Sequence, residues 1–451
     1  MKILLPALSP TMETGNLIKW LVKEGQSVNS GDIIAEIETD KATMELESPD
    51  DGTINKIVIP EGTEGVKVNT LIAILDVEGE EDLTKEEDIS KTPEKNQPIP
   101  KNIETHISMN SVIDQNKIEK SNWTEEEITM REALNQAIEE EMNLDKDVFL
   151  LGEEVAEYDG AYKVTQGLLN KFGDKRVLDT PISEHGFTGL AIGAAMSGLK
   201  PICEFMTFNF SMQAIDQIVN SAAKSLYMSG GEINVPIVFR GPNGAAARVA
   251  AQHSQCFISW FSHIPGLLVV APSNARDAKG LLKSSIRNPN PVIFLEHELL
   301  YKEKMNVPKE DDFLIPLGKA NSITKGNDVT IIGFSMSVQR ILNSLPEINN
   351  LGIKPDIIDL RSIKPLDEES IYSSVKKTNR VVIVEDGWGN TSFGSHLSYL
   401  IQSNCFDYLD SEIIKVSGKD VPMPYAENLE AHALPTKEEI VSAVKKVTYK
   451  N

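Results

Sequence analysis

Residues 177–231 read VLDTPISEHGFTGLAIGAAMSGLKPICEFMTFNFSMQAIDQIVNSAAKSLYMSGG, and successive patterns within them decide the fold. "EHGFTGLAIGAAMSG" (184–198) is apolar and opens on Glu184. Gly186, Gly189, Gly193 and Gly198 recur along it, so it reads as a helix slim enough for another backbone or subunit to approach closely. "PICEFM" (201–206) is an apolar run of strand length, and "AIDQIVNSAAKSLYM" (214–228) returns to helical spacing.

The same alternation continues downstream. "VPIVFR" (235–240), "GLLVVAP" (266–272) and "PVIFLEH" (291–297) read as strands, and "SNARDAKGLLKSSIR" (273–287) as a helix with a Ser/Asn start. A second set of strands, "DVTIIGFS" (328–335), "PDIIDLR" (355–361), "RVVIVED" (380–386) and "EIIKVSG" (412–418), has helices such as 335–345 and 393–402 between its members. Strands alternating with helices predict doubly wound parallel sheets. The polar stretch "KEKMNVPKEDDF" (302–313) separates the sets, giving two α/β domains at 124–310 and 315–451.

Residues 1–80 follow another rule. "NLIKWLV" (16–22), "DIIAEIET" (32–39), "ATMELES" (42–48), "TINKIVI" (53–59) and "NTLIAIL" (69–75) alternate apolar and polar residues between Gly, Asp and Asn turns. Glu24-Gly25, Val28 and Ile33-Ile34-Ala35 are echoed by Glu61-Gly62, Val66 or Val68, and Leu71-Ile72-Ala73. Two such four-strand halves predict a small all-β barrel or sandwich with pseudo-two-fold symmetry. Residues 81–123 read as a flexible linker, because the core of that stretch, 83–122, has no Phe, Tyr or Trp and no sustained apolar period. Forty residues span at most about 130–140 Å, with ends typically roughly 35 Å apart.

The whole chain has 451 residues, 41% hydrophobic and 25% charged, as soluble globular proteins do. Apolar runs such as "PGLLVVA" (265–271) fall short of the ~18 residues of a membrane helix. The N-terminus lacks the apolar stretch of a signal peptide and the Arg-rich character of a transit peptide. Cys203, Cys256 and Cys405 are too few and too scattered for a disulfide framework or a zinc site, so a reducing cytoplasm is expected. A net charge of −23 argues against nucleic acid as a partner. Residues 1–82 carry 6 Lys and 17 Asp/Glu, a density of net charge about four times that of the body, which suits either plain solubility or a carrier's recognition surface.

Three residues invite chemistry. Lys41, in "EIETDKATMELES" (36–48), sits between two alternating strands and midway between the half-repeats. It reads as a solvated turn lysine or as an amine presented at a hairpin tip. Glu184 reads as a helix-start acid favoured by the dipole, or as a desolvated carboxyl able to hold a proton near neutral pH. His253, in the Ala- and Gly-rich "GPNGAAARVAAQHS" (241–254), reads as a structural or merely solvated histidine, or as a loop histidine near a cofactor.

Residues 1–80 resemble a lipoyl domain, on "LPALSPTMETGNLIKWLVKEGQSVNSGD", "ETDKA" and "ESPDDGTI". The resemblance implies that Lys41 carries lipoic acid in amide linkage, attached by a lipoyl ligase. Related biotin carriers have Met on both sides of the lysine, where this chain has Asp40 and Ala42. Glu36, Glu38, Asp40, Glu45 and Glu47 would give such a domain an electrostatic identity for its partners.

From about Thr129 onward the chain resembles the beta subunits of the decarboxylating component of pyruvate dehydrogenase, on "LGEEVAEYDGAYKVTQGL", "TPISE", "PICEFMTFNFSMQAIDQIVNSAAK", "FRGPNGAAARVAAQHSQ" and "LRSIKPLD". This implies a pyrimidine-binding domain followed by a transketolase C-terminal-like domain. Glu184 matches the glutamate that hydrogen-bonds the pyrimidine ring of thiamine diphosphate. By the same matching, Phe210 would stack on that ring, and Ile182, Met206 and Gln213 would line its pocket; Phe210 and Met206 also suit ordinary core. His253 would stand at the active-site mouth, steering pyruvate-derived groups and the incoming lipoyl arm. A potassium site is implied at Ile237, Ser285, Ile286, Asn288 and Asn290, mostly through backbone carbonyls. Two departures from the family pattern are Ala247-Arg248 and His185.

The Gly-Asp-Gly motif with which thiamine enzymes begin their diphosphate and magnesium site is absent from the chain. The resemblance therefore implies an alpha subunit that supplies the Mg2+ site and completes the active site in a heterotetramer of two alpha and two beta chains. A dihydrolipoyl acetyltransferase core is the further expected partner. The expected reaction is decarboxylation of pyruvate with reductive acetylation of lipoyl groups, leading to acetyl-CoA and CO2. Branched-chain 2-oxoacid and acetoin dehydrogenase beta subunits are the neighbouring alternatives. A lipoyl-bearing acyltransferase fits poorly, since none of the Asp-Gly pairs at 51–52, 159–160 and 386–387 has His four residues before the Asp. A carrier or assembly subunit without chemistry has no use for Glu184 in its full motif. Lipoyl domains usually belong to the acyltransferase, so their fusion here makes Lys41 an expected acyl-carrying arm.

Overall fold

The computed structural model describes residues 2–6, 14–38, 43–76, 123–245 and 248–450, which fall in two units, Met1–Ile103 and Glu104–Asn451. Lys41, the linker up to residue 122, and Ala247 lie outside the described residues.

In the first unit, one sheet runs in the order Lys2–Leu4, Leu71–Asp76, Gly52–Ile57, Ser27–Val28. The other runs Thr43–Glu47, Ile33–Glu38, Thr14–Trp20, Thr63–Lys67. Each half-repeat supplies two strands to each sheet, and exchanging the halves turns one order into the other. The hydrogen bonds obey the same exchange. Gly25 N donates to Ile54 O at 2.7 Å and Gly62 N to Leu17 O at 2.8 Å; Gly31 N donates to Ser48 O at 2.9 Å and Asn69 N to Leu5 O at 2.8 Å. Leu17, Ile34, Ile37, Ile54, Ile72 and Leu75 are buried in the core of this unit. Ile33–Glu38 and Thr43–Glu47 pair antiparallel with Glu38 opposite Thr43, so they bracket Lys41 in sequence.

In the second unit, the first sheet has the order Val177–Asp179, Val148–Gly152, Lys200–Glu204, Val238–Pro242, Val292–Glu296, Leu268–Val270, all parallel. Val148–Gly152 and Val292–Glu296 are buried throughout, as strands covered on both faces must be. From Val148–Gly152 the chain goes first to the strand on one side, Val177–Asp179, and then to the strand on the other, Lys200–Glu204. Such a reversal opens a crevice beyond the carboxyl ends of the strands. The second sheet runs Asn321–Lys325, Pro355–Asp359, Val329–Gly333, Val381–Trp388, Ile414–Gly418, parallel except for the first.

Two expectations need correction, and the structure adds a link between the two α/β domains. The helix expected over 214–228 is broken: Phe208–Ala214 is 3-10, Gln217–Ala222 is π-helical and Ser225–Met228 is a single α-turn. Gly266 presses on this wall so closely that a Cβ there would lie 1.9 Å from the Ala223 carbonyl oxygen. Packing, rather than a regular i→i−4 ladder, shapes the segment. The polar stretch 302–313 is more than a separator, because Lys304–Pro308 pairs antiparallel with Glu125–Thr129. The two α/β halves are also not self-contained. Ser362–Lys364, well past residue 315, adds antiparallel to the edge of the first sheet, and Phe205, Phe208, Phe261, Phe334, Ile358 and Phe393 belong to one continuous core.

Candidate active site

The candidate side chains follow the carboxyl ends of adjacent strands. Val148–Gly152 leads into Glu153, Val177–Asp179 into Ile182 and Glu184, and Lys200–Glu204 into Met206 and the 3-10 helix Phe208–Ala214, which carries Phe210 and Gln213. Val238–Pro242 leads into the loop that bears His253. Two buried ion pairs hold these strand ends: Arg240 bonds Glu204, and its Nη2 lies 2.5 Å from Glu296 Oε2. Tyr301 Oη also donates to Glu296, at 2.6 Å.

Glu184 opens the helix Glu184–Met196, where the N–H ends favour a carboxylate. The helix packs on the 3-10 helix and on the π-helical turn, with Phe187 against Phe205 at 5.9 Å and Phe205 against Phe208 at 5.5 Å. Glu184 is half-buried, and its carboxylate makes no hydrogen bond to any described residue. Ile182, beside it, is 86% exposed. His185 turns away to Gln217, with its Nε2 at 3.2 Å from the amide nitrogen.

Glu153 is a further candidate that sequence reasoning did not name. It is 5% exposed, and its Oε1 is buried without a hydrogen-bond partner. Burial, and then the charge of Glu184, push its carboxyl up to about 7. The available signal was an acid directly after the apolar run "VFLLG" (148–152), at the sheet's reversal point.

Phe210 and His253 meet edge to face, ring centroids 5.3 Å apart at 83°. Met206 is half-buried and Gln213 exposed, on the same segment as Phe210. Arg248, at one of the positions that depart from the family pattern, pairs with Glu427 at 2.9 Å. The side chains suit an aminopyrimidine: a carboxyl whose hydrogen-bonding capacity is unused and which can share a proton with a ring nitrogen, an aromatic face, a thioether and a second carboxyl that holds a proton near neutrality.

The potassium candidates gather elsewhere. Ser285 and Ile286 end the helix Ala275–Ile286, Asn288 N donates to Ser285 O at 3.2 Å, and Asn290 N to Asn288 Oδ1 at 2.9 Å. Val292 N donates to Ile237 O at 2.9 Å, which brings Ile237 to the same corner. This corner lies at the amino ends of strands Val238–Pro242 and Val292–Glu296, the opposite end of the sheet from Glu184. Among the described residues, no three His, Cys, Asp or Glu side chains converge as a metal site.

Comparison with known proteins gives three family matches: "Transketolase, pyrimidine binding domain" over residues 126–304, "Transketolase, C-terminal domain" over 318–440, and "Biotin-requiring enzyme" over 1–75. Among solved structures, a split-gene transketolase described as an inactive beta4 tetramer matches 71% of this chain and 98% of its own, with TM-score 0.59 and 20% identity, a likeness of fold alone. The pyruvate dehydrogenase E1 component subunit beta of Rhizobium meliloti (strain 1021) is 56% identical over 457 residues, covering 100% of this chain and 99% of its own length. The protein of that name from Rickettsia conorii is 58% identical over 72% of this chain and 99% of its own. The mitochondrial one of Caenorhabditis elegans is 57% identical over 71% of this chain and 92% of its own. On its sequence, its transketolase-like sheets and its N-terminal lipoyl-type domain, the chain belongs to the family of pyruvate dehydrogenase E1 component beta subunits.

Proposed function

We propose that this chain works with an alpha subunit, in a heterotetramer of two alpha and two beta chains, to decarboxylate pyruvate and acetylate lipoyl groups. Carbon dioxide leaves, the two-carbon unit is oxidised as the lipoyl disulfide is reduced, and one lipoyl sulfur takes the acetyl group to coenzyme A on a dihydrolipoyl acetyltransferase core. One observation carries the reading: the neighbouring carboxyls Glu153 and Glu184 at the sheet's reversal point, the second on a helix that packs against the 3-10 helix bearing Phe210 of the Phe210–His253 ring pair. Thiamine diphosphate, when bound, supplies the electron sink for carbon–carbon cleavage.

Within this reading, Glu184 would hold the pyrimidine by sharing a proton with it, and Glu153 would keep a proton in reserve next to Glu184. Phe210 presents its face to the ring, with Ile182, Met206 and Gln213 around it. The alpha subunit supplies the diphosphate and Mg2+ side. His253 orients the pyruvate-derived group toward the lipoyl sulfur. A potassium ion at Ile237, Ser285, Ile286, Asn288 and Asn290 would brace the amino ends of two strands rather than take part in chemistry. Lys41, once modified by a lipoyl ligase, is the acyl-carrying arm. The three free cysteines suit a cytoplasmic setting.

The test is purification with and without the alpha subunit, followed by assays on pyruvate and 2-oxoisovalerate. Activity is expected only from the pair and with pyruvate preferred. A preference for 2-oxoisovalerate would move the chain to the branched-chain enzymes, and no activity from the pair would leave only a carrier role.

A further inference from the structure

His253 ends the one-turn 3-10 helix Ala251–His253, within the connection that follows Val238–Pro242. Between Val238–Pro242 and the helix Ile258–Ser262, Arg248 and Ala250 adopt φ of +61° and +62°, values that residues other than glycine rarely take. His253 is only half-buried, and Phe210 is the one ring within stacking range of it among the described residues. The far limb of the loop is fixed by a buried carboxamide. Asn209 is 5% exposed; its Oδ1 accepts the Gln255 N–H at 3.1 Å, and its Nδ2 donates to Thr207 Oγ1 at 2.8 Å. Asn209 immediately precedes Phe210 in the 3-10 helix, and Gln255 lies two residues past His253. One side chain thus ties together the segments that carry both rings. The base of the loop has separate ties: Gly244 N donates to Gln255 O at 3.0 Å, and Asn243 Oδ1 accepts the Phe257 N–H at 2.7 Å.

We propose that Asn209 is a positioning residue for the transfer step, holding the His253 imidazole against Phe210 where it meets the incoming lipoyl sulfur. The proposal rests on the role given to His253 above. The bond that matters is the one Oδ1 accepts. Replacement by Ala leaves the Gln255 N–H without its acceptor while the base of the loop stays closed. Replacement by Asp keeps an acceptor there, and the Thr207 hydroxyl can turn to donate to the other oxygen.

The experiment uses the assembled heterotetramer and two rates. One is CO2 release from pyruvate with 2,6-dichlorophenolindophenol as the acceptor, and the other is reductive acetylation of a lipoyl domain. N209A is expected to lose roughly tenfold in acetylation and to stay within about twofold of wild type in dye-linked CO2 release. N209D should restore most of the acetylation, and N209A combined with H253A should be no worse than H253A alone. Hydrogen exchange at the Gln255 amide should speed up in N209A and not in N209D. Equal loss of both rates, failure of N209D to restore transfer, or additive loss in the double variant would overturn the proposal. If N209A does not assemble, N209L, similar in shape and without polar atoms, is read in its place. H253A alone separates the two ideas. Normal acetylation by H253A removes the role of His253, whereas a defective H253A with a normal N209A removes only the role of Asn209.

Discussion

Glu153 and Glu184 are two carboxyls with different environments in one crevice. Glu184 was legible from its motif and from its place at the head of an apolar helix. Glu153 was not, because its property depends on burial and on Val148–Gly152 lying beside Val177–Asp179, which no local pattern records. Its carboxyl rises from the ordinary 4.5 to about 7, through burial first and the charge of Glu184 second. The folded state therefore holds this proton more tightly than the unfolded one. The associated stability is complete below pH 4.5 and is lost as pH climbs through about 7. Glu153→Gln carries no such titration, so its melting temperature should gain on wild type across that window and hold a constant lead above it. Paired thermal melts from pH 4 to 9 measure this, and a gap that ignores pH would contradict the assignment. Phe210 and His253 were likewise named by motif, but their edge-to-face contact is a product of folding.

The elements show where sequence pattern suffices and where it does not. The five alternating runs of the N-terminal unit all became strands, whereas Lys2–Leu4, Ser27–Val28 and Thr63–Lys67 are too short or too irregular to announce themselves. The internal repeat had more content than its few matching residues suggested, since it sets the order of both sheets. Gly25 and Gly62 occupy equivalent turns at φ +83° and +79°, with open space where a Cβ would point. Only backbone conformation is at stake at either site, so Gly25→Ala and Gly62→Ala should each cost about 1–2 kcal/mol, and nearly the same amount. Denaturant melts of the two variants check this, and a large inequality would break the symmetry argument. In the second unit the parallel strands were readable from continuous apolar runs. The broken wall after Phe208 was not, because the backbone it packs against, at Gly266, lies 43 positions along the chain from Ala223.

At the scale of the whole molecule, a small β unit precedes a larger α/β unit whose halves share a core and a sheet edge. The dense charge of residues 1–82 suits a carrier surface, and the Rhizobium meliloti relative matches the chain along its full length, while the Rickettsia and nematode relatives match about seven-tenths of it. Lys41 should gain the mass of one lipoyl group when the chain is co-expressed with a lipoyl ligase, and Lys41→Arg should not; an unmodified wild-type chain in intact mass spectrometry would remove the arm. The central claim is that this chain holds half of a thiamine active site, centred on Glu184 and completed by an alpha subunit. The direct measurement is pyruvate-dependent CO2 release by reconstituted heterotetramers of wild type and Glu184→Gln, with assembly followed by analytical ultracentrifugation. The variant should assemble as wild type does and release CO2 roughly 10²–10⁴-fold more slowly; an assembled variant that turns over like wild type would contradict the account.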